Sequence, residues 1–557
     1  MPRYRWIEPV KPENADLHSL GLIGEILATR GVSSHQEALE LLSHDVSGIP
    51  SPETLPDIEQ ATTLIQSVLN NGERIAVYGD YDVDGVTSTA LLVQSLRDLG
   101  GDARPYLPHR ERDGYGLNTG AIDQAVRDGC RLLIAVDCGT SDVAELEHAR
   151  KAGLESIVVD HHHVWSADIP CGAFVSPRRP DSAHSFSEYA AVGVAWQLMR
   201  NLAGDRGSER FLPLVALGTV ADVVPLVGPN RAIVQRGIDL FTRYAGPGLY
   251  ALAEVAGVKP DSLRSHHFGF FLGPRINAAG RIDDPWIALE LLLTDSPDRA
   301  DELAHRLNDL NRERQDLLDE YVTAARIFVE SDGSRDNPVL VVHSPEWRIG
   351  LVGLIAGRLT EAYGRPVFAL EQGVPLSRGS ARSIDEFNVV SALDRCSDVL
   401  EKFGGHSKAA GLTIETNRIG EFTERINQVF QQDVGPEPPL PTLSLDAELR
   451  PEFVSLDLID DLEHLEPCGH GNPAPRFLMR DLEIVDARRS RDQAHLLFNV
   501  RSSNGVPLRA VGFNAGDRLV ELHDAQIADL AVSLRKNTWK GRTSVTLEVV
   551  DFRPAGS

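Results

Sequence analysis

Three aspartates alternate in Tyr78-Gly79-Asp80-Tyr81-Asp82-Val83-Asp84-Gly85, with Thr87 and Ser88 just beyond. Carboxylates this close repel one another unless a cation shares them. The same alternation also reads as an Asp-rich turn that caps a helix. Asp137 stands in Val136-Asp137-Cys138-Gly139, Asp160 opens Asp160-His161-His162-His163, and Asp222 closes Gly218-Thr219-Val220-Ala221-Asp222. Taken singly, Asp137 and Asp222 are ordinary turn or cap residues. An acid and three imidazoles after an apolar run are harder to explain by packing, because His brings metal or acid–base chemistry at neutral pH. Mixed carboxylate and imidazole donors suit Mn²⁺ or Mg²⁺ better than a structural zinc. Two such ions on a bridging carboxylate form the clamp used for in-line phosphoryl displacement.

These side chains need a frame that gathers them. Each group follows a short apolar run: Arg74–Tyr78, Arg131–Val136, Ser156–Val159 and Leu214–Leu217. Helical stretches such as Ser88–Leu99 and Ala144–Ala152 lie between. Apolar runs separated by helices predict a parallel sheet covered on both faces. Ligands in such sheets sit beyond the carboxyl ends of the strands. Four strand-like segments would thus bring Asp80, Asp82, Asp84, Asp137, Asp160, His161, His162 and Asp222 to one sheet edge.

The rest of the chain divides by pattern. Residues 1–50 read as a helical lead-in and 51–295 as the α/β region above. Residues 296–333 form a connecting helix, with Leu303, Leu307, Leu310, Leu317 and Tyr321 at helical spacing. Residues 334–432 carry a second α/β pattern, beginning at Pro338–Val342. Within it, Gly404-Gly405-His406 lacks the G-K-[ST] of a Walker loop. It reads either as backbone approaching phosphate at a helix start or as a tight turn entering a helix. Residues 433–557 begin with the Pro-rich linker Asp433–Pro441 and continue as five short strands, a small barrel.

Composition narrows the classes. The 557 residues include 81 acidic and 55 basic side chains, a net charge of −26. That opposes a protein that coats duplex DNA with its whole surface. No apolar run approaches the roughly 20 residues that span a bilayer, so no membrane partner is expected. The opening MPRYRWIEPVKPEN has no apolar core, so no secretory signal is read and the cytoplasm is expected. The five cysteines form no C-x-x-C pair, and Cys468 with His470 is too few ligands for zinc. Residues 467–557 carry 13 basic against 10 acidic side chains, a local +3 that leaves −29 elsewhere. Arg488, Arg489 and Arg491, and Arg535, Lys536, Lys540 and Arg542 around Trp539, read as a barrel that tracks a single strand by charge and stacking. The same residues are also what solvated strand edges carry.

D-x-D-x-D-G, strand-end D-C-G, D-H-H and G-T-V-A-D together resemble the four motifs of the DHH phosphoesterase superfamily. Tyr106–Arg110 with Gly114–Asn118, Gly273–Arg281, Gly379–Ser383, Gly404–Gly411 and Leu465–Pro473 resemble, within it, the RecJ family of bacterial single-stranded-DNA-specific 5′→3′ exonucleases. The resemblance covers nearly the whole chain in order. It implies a parallel-sheet DHH lobe and a smaller α/β DHHA1 lobe joined by the long helix, then an OB-like β-barrel. It implies two divalent ions, Mn²⁺ or Mg²⁺, with Asp82 and Asp84 on one ion each, Asp137 bridging, and His161 and Asp222 completing the second. Asp160 would orient His161, and His162 would face the scissile phosphate. Arg110, Tyr115, Arg275, Asn277, Arg281, Ser380, Arg382, Gly404, Gly405 and His406 would hold the DNA 5′ end and nearby phosphates. Some members have His four positions before Asp82, where this chain has Tyr78; Asp80 would fill in. The implied activity is release of mononucleotides in repair and recombination. Single-stranded DNA, a single-stranded-DNA-binding protein and a helicase are the implied partners. The alternatives are a phosphodiesterase of short oligonucleotides and an inactive replication scaffold.

Overall fold

The computed structural model describes residues 3–10, 15–43, 48–164, 166, 168–331, 334–501, 507–539 and 541–556. They form two units: His44–Pro438 with Pro467–Asn472, and Met1–Ser43 with Pro439–Glu466 and Pro473–Ser557.

In the first unit, five parallel strands run in the order Asp102–Tyr106, Arg74–Tyr78, Cys130–Val136, Glu155–Val159 and Ala173–Val175. Alternate side chains enter different cores. Ile75, Val77, Leu132, Ile134, Val136, Ile157 and Val159 join one cluster. Ala76, Tyr78, Leu133, Ala135 and Val158 join another on the opposite face. The runs are therefore continuously apolar because both faces are covered. Each fully buried Ile or Val contributes about 1.5–3 kcal/mol, so the strand ends are firmly placed.

One expectation fails. The run before Asp222 is the helix Leu212–Ala221, with Asp222 as its C-cap. Its residues Leu212–Thr219 are buried all round, and an apolar run without periodicity does not separate a buried strand from a buried helix. Three strand ends and one helix end thus meet at the site.

The helix Pro297–Ser331 runs from this lobe to a second sheet. That sheet is ordered Lys402–Gly405, Ala409–Glu415, Leu376–Arg382, Val367–Glu371 and Leu340–Ser344. Gly404 and Gly405 lie in an edge strand, and His406 follows it with its N–H donating to Ala409 O at 2.7 Å. The glycines therefore do not open a helix.

In the second unit, Phe477–Arg489, Leu496–Arg501, Leu508–Gly512, Arg542–Pro554 and Ile527–Trp539 close into a five-stranded barrel through pairing of the first with the last. Residues 1–43 share this unit: Arg5–Ile7 pairs in parallel with Thr442–Ser444, and Leu17, Ile26 and Leu27 join the barrel core. Arg488 and Arg491 are exposed, with no acidic partner among the described residues. Arg489 donates to Gly516 O at 2.7 Å, and Arg535 lies 3.7 Å from Glu548. Lys536 is bonded to Asp460 and Glu463, so it is not a free cation for a strand. Trp539 ends its strand, and Lys540 lies outside the described residues.

Candidate metal centre

Asp82 caps the helix Val83–Asp98: its carboxylate accepts the Asp84 and Gly85 N–H groups at 3.0 and 3.2 Å. Cap and acid cluster are one feature. The turn requires glycine, since a Cβ on Gly85 would lie 2.4 Å from Asp80 O. Asp84 is buried and accepts from the Ala191 and Val192 N–H groups at 2.6 and 2.9 Å. These open the helix Ala191–Ser208, whose dipole favours an anion there. Asp137 follows Cys130–Val136 at φ 61°, a left-handed conformation that Asp tolerates.

Donor atoms of Asp80, Asp82 and Asp137 lie within 4.8 Å of one another, and so do those of Asp84, His161 and Asp222. Asp137 reaches the second triad as well, its carboxylate 3.4 Å from His161 Nε2. His161 Nδ1–H donates to Tyr189 O at 3.0 Å. The ring therefore turns the Nε2 lone pair toward Asp137 and toward Asp84 at 3.9 Å. Burial, then the charge of His162, lowers the His161 pKa to about 3, so the imidazole is neutral, as a ligand must be.

Asp160 does not orient the His161 ring. Its Oδ1 accepts from His162 Nδ1 at 2.7 Å and from the His161 and His162 backbone N–H groups at 2.8 and 3.3 Å. Its Oδ2 accepts the Thr140 hydroxyl at 2.6 Å. Two residues along an irregular turn, the His162 ring folds back onto Asp160; the adjacent His161 ring points away to Tyr189. Burial opposes charge on His162, but the Asp160 carboxylate outweighs it and raises the pKa to about 9.

Burial is the largest cause pushing Asp80, Asp84, Asp137 and Asp222 upward, followed by repulsion from neighbouring acids. Asp84 reaches about 7. Among the described residues, Asp80 Oδ1 is buried with no hydrogen-bond partner. Crowded buried acids, an unpartnered carboxylate oxygen and a neutral imidazole fit divalent cations of the Mn²⁺ or Mg²⁺ kind. Tyr78 takes no part: its hydroxyl donates to Gly116 O at 2.8 Å and accepts from Asn118. His163 is exposed.

Basic groups border the acids. Arg110 stacks 3.9 Å over the Tyr81 ring and donates to Gly280 O at 3.0 Å. Arg281 donates to Gly350 O at 3.0 Å, and Arg382 to Ser380 Oγ at 2.9 Å. Burial, then Arg110, lowers the Arg281 pKa to about 9, with Arg314 and Arg382 adding repulsion. Among the described residues Arg110, Arg281 and Arg382 have no ion pair. Convergent guanidiniums without an ion pair among the described residues favour an anion such as phosphate. Asn277 sits one turn before Arg281 on the helix Gly273–Ile282. Arg275 turns elsewhere, donating to Phe271 O at 2.6 Å and to Asn308 at 3.2 Å. It is not joined to the Arg110–Arg281–Arg382 group. A cavity of about 410 Å³ lies beside Asp160 and His162, lined also by Tyr115, Asn388, Gly405 and His406 among others. Tyr115 OH lies 3.2 Å from His162 Nε2.

Thr140, Tyr189, Ala191 and Val192 hold the acids and imidazoles in place, yet the motif reading missed them. Thr140 was legible in principle, three residues past Asp137. The other three act through backbone atoms, which carry no residue-type signal.

Residues 74–219 match the DHH family N-terminal domain, 336–432 the DHHA1 domain and 445–551 the RecJ OB domain. The single-stranded-DNA-specific exonuclease RecJ of Escherichia coli (strain K12) is 35% identical over 562 residues, covering 96% of each chain. The chain belongs to the RecJ family. The RecJ of Bacillus subtilis (strain 168) is 31% identical, covering 98% of this chain and 69% of the relative. The crystal structure of RecJ with Mn²⁺ from Thermus thermophilus superposes with a TM-score of 0.86 at 30% identity, covering 100% of this chain and 80% of that one. The Mg²⁺ complex from the same organism gives 0.80 at 29% identity, with 100% and 79% covered. This RecJ-family chain is thus a nuclease of the DHH phosphoesterase class with a divalent-metal centre. Among the described residues, no helix is long and apolar enough to cross a membrane.

Proposed function

We propose that this chain hydrolyses single-stranded DNA from the 5′ end and releases mononucleotides in repair and recombination. The supporting observation is the cluster Arg110, Arg281 and Arg382, which has no ion pair among the described residues, with Arg281 near enough to Asp82 to interact with its charge. It supports anion recognition beside the acid cluster, where a terminal phosphate would set how much of the strand reaches the cleavage point. Asp80, Asp82 and Asp137 would hold one ion, and Asp84, His161 and Asp222, with Asp137 shared, the other. When bound, two divalent ions supply Lewis acidity and an activated water.

The chain's own residues do the rest. Tyr189 O keeps the His161 proton on Nδ1, and the Ala191 and Val192 N–H groups fix Asp84. Asp160 keeps a proton on His162 Nδ1, so the imidazolium offers its charge to the scissile phosphate. Arg110, Arg281, Arg382 and Ser380 hold the 5′ phosphate, with Asn277 beside them. Tyr115 borders the cavity where a terminal base would stack. Gly405 and His406 line that cavity from the second lobe, with Gly404 next to them. Arg488, Arg489 and Arg491 would guide the strand at the barrel. The proposed domains are 1–50, 51–295, 296–333, 334–432 and 433–557, with residues 1–43 sharing a unit with the barrel and 467–472 joining the first unit. The expected setting is cytoplasmic, with a single-stranded-DNA-binding protein and a helicase as partners.

The test compares a 5′-phosphorylated single strand, the same sequence as blunt duplex, and a dinucleotide, each with Mn²⁺ or with chelator. Metal-dependent loss of the single strand alone is expected. Preference for the dinucleotide would replace this reading with that of a short-oligonucleotide phosphodiesterase.

A further inference from the structure

Pro467–Asn472 belongs to the first unit, although the segments flanking it on both sides, Pro439–Glu466 and Pro473–Ser557, belong to the second. It docks on the loop that leaves Asp222. The Leu226 N–H donates to His470 O at 2.7 Å. The Ser265 hydroxyl donates to Cys468 O at 2.7 Å. Arg231 and Asn472 side chains donate to Pro467 O at 3.4 and 2.9 Å. The packing leaves no room: a Cβ on Gly469 would lie 2.7 Å from Leu226 Cδ1. At Gly471, φ is +72° and a Cβ would lie 2.9 Å from the Pro225 ring.

The loop it grips holds a strained residue next to Asp222. Val223 has φ 63°, which a β-branched side chain rarely adopts. The residue is 63% exposed, so burial does not offset the strain. Such a conformation persists where its flanks over-determine it. On one flank, the Asp222 N–H donates to Gly218 O at 2.9 Å. On the other, Val224 and Leu226 are buried, Asn230 donates to Pro225 O at 3.0 Å, and His470 O takes the Leu226 N–H.

We propose that Pro467–Asn472 is a positioning clasp for Asp222. The His470 carbonyl and the bare faces of Gly469 and Gly471 fix Pro225 and Leu226. Through Val223 they set the Asp222 carboxylate against Asp84 and His161, and so tune that triad's affinity for its divalent ion. Cys468 and His470 therefore act through main-chain oxygens. The clasp rests on the reading of Asp222 as a metal ligand.

The test is Mn²⁺ binding to the full chain after chelator stripping, followed by electron paramagnetic resonance of the free ion. Wild type takes two ions. Gly471→Ala weakens one of them by about tenfold or more and spares the other. Gly469→Ala does the same to a smaller extent, because the Leu226 side chain can yield. Both metal-free variants keep a cooperative melting transition, and nuclease activity lost at low Mn²⁺ returns at high Mn²⁺. Unchanged affinities in both variants would overturn the clasp. Equal weakening of both ions together with a collapsed melting transition would also overturn it, as the mark of a purely structural segment. Fewer than two ions on wild type would instead overturn the ligand assignment beneath it.

Discussion

The Asp160 carboxylate lies 2.7 Å from His162 Nδ1, and this pair, rather than Asp160 with the His161 ring, organises the histidine run. The division of labour is clear from the hydrogen bonds. His161 is neutral and anchored by a carbonyl, while His162 is protonated and anchored by a carboxylate. One imidazole suits a cation, the other a phosphate.

Asp160→Asn keeps the acceptor for the His161 and His162 N–H groups but removes the charge. The His162 pKa should fall from about 9 toward its ordinary value, and kcat should fall about 10–100-fold. Mn²⁺ affinity should stay near wild type. NMR titration of the imidazole and a metal-binding isotherm check both; a large loss of Mn²⁺ affinity would return Asp160 to the His161 side.

Asp137 stands between the two triads, so Asp137→Asn should disturb both ions. Asp84→Asn should disturb one. Both should lower hydrolysis by roughly a thousandfold or more, since residues acting as a unit fail together. Strand binding should survive in each. Ion counting by isothermal titration separates them, and the same count in both would remove the bridging role.

The metal-free chain should lose stability as pH rises above about 6.5. Asp84 goes from an ordinary 3.8 to about 7 in the fold, so its protonated form stabilises the fold fully below 3.8, an effect lost by about 7. His162 goes from 6.5 to about 9, so its contribution is full below 6.5 and gone above 9. Both run the same way, whereas His161, lowered from 6.5 to about 3, runs the opposite way between those values and offsets Asp84 there. The Mn²⁺-induced rise in Tm should therefore be larger near about pH 8 than near about pH 5, because metal replaces the protons the acids would otherwise hold. A rise that shrinks with pH would contradict the cluster as a metal site.

The barrel's cations are not equivalent. Arg488 and Arg491 are exposed without acidic partners among the described residues, whereas Lys536 is bonded to Asp460 and Glu463. Arg488→Ser with Arg491→Ser should reduce the slope of log affinity against log salt by about 1.4 on single strands. Lys536→Ser should barely change it. Filter binding across a salt series decides, and equal effects would make the barrel a diffuse charge sink.

Local pattern located the acids well and their supports poorly. The D-x-D-x-D-G turn was readable because its aspartates both cap a helix and crowd a strand end. Asp222 was found by its place after an apolar run, yet that run is a helix, because residues buried on every side lose their periodicity. Tyr189 O, Ala191 N and Val192 N were invisible, since backbone donors and acceptors are supplied by any residue type. The pairing of Arg5–Ile7 with Thr442–Ser444 was equally hidden: a three-residue strand bonded across more than four hundred positions leaves no local signature.

The most direct measurement is product analysis on one long single strand labelled at either end, digested with Mn²⁺. The 5′ label should appear at once as a mononucleotide while the 3′ label stays on a long, slowly shortening strand. Early release of the 3′ label, or labelled internal fragments from either end, would contradict hydrolysis from a phosphate-anchored 5′ terminus.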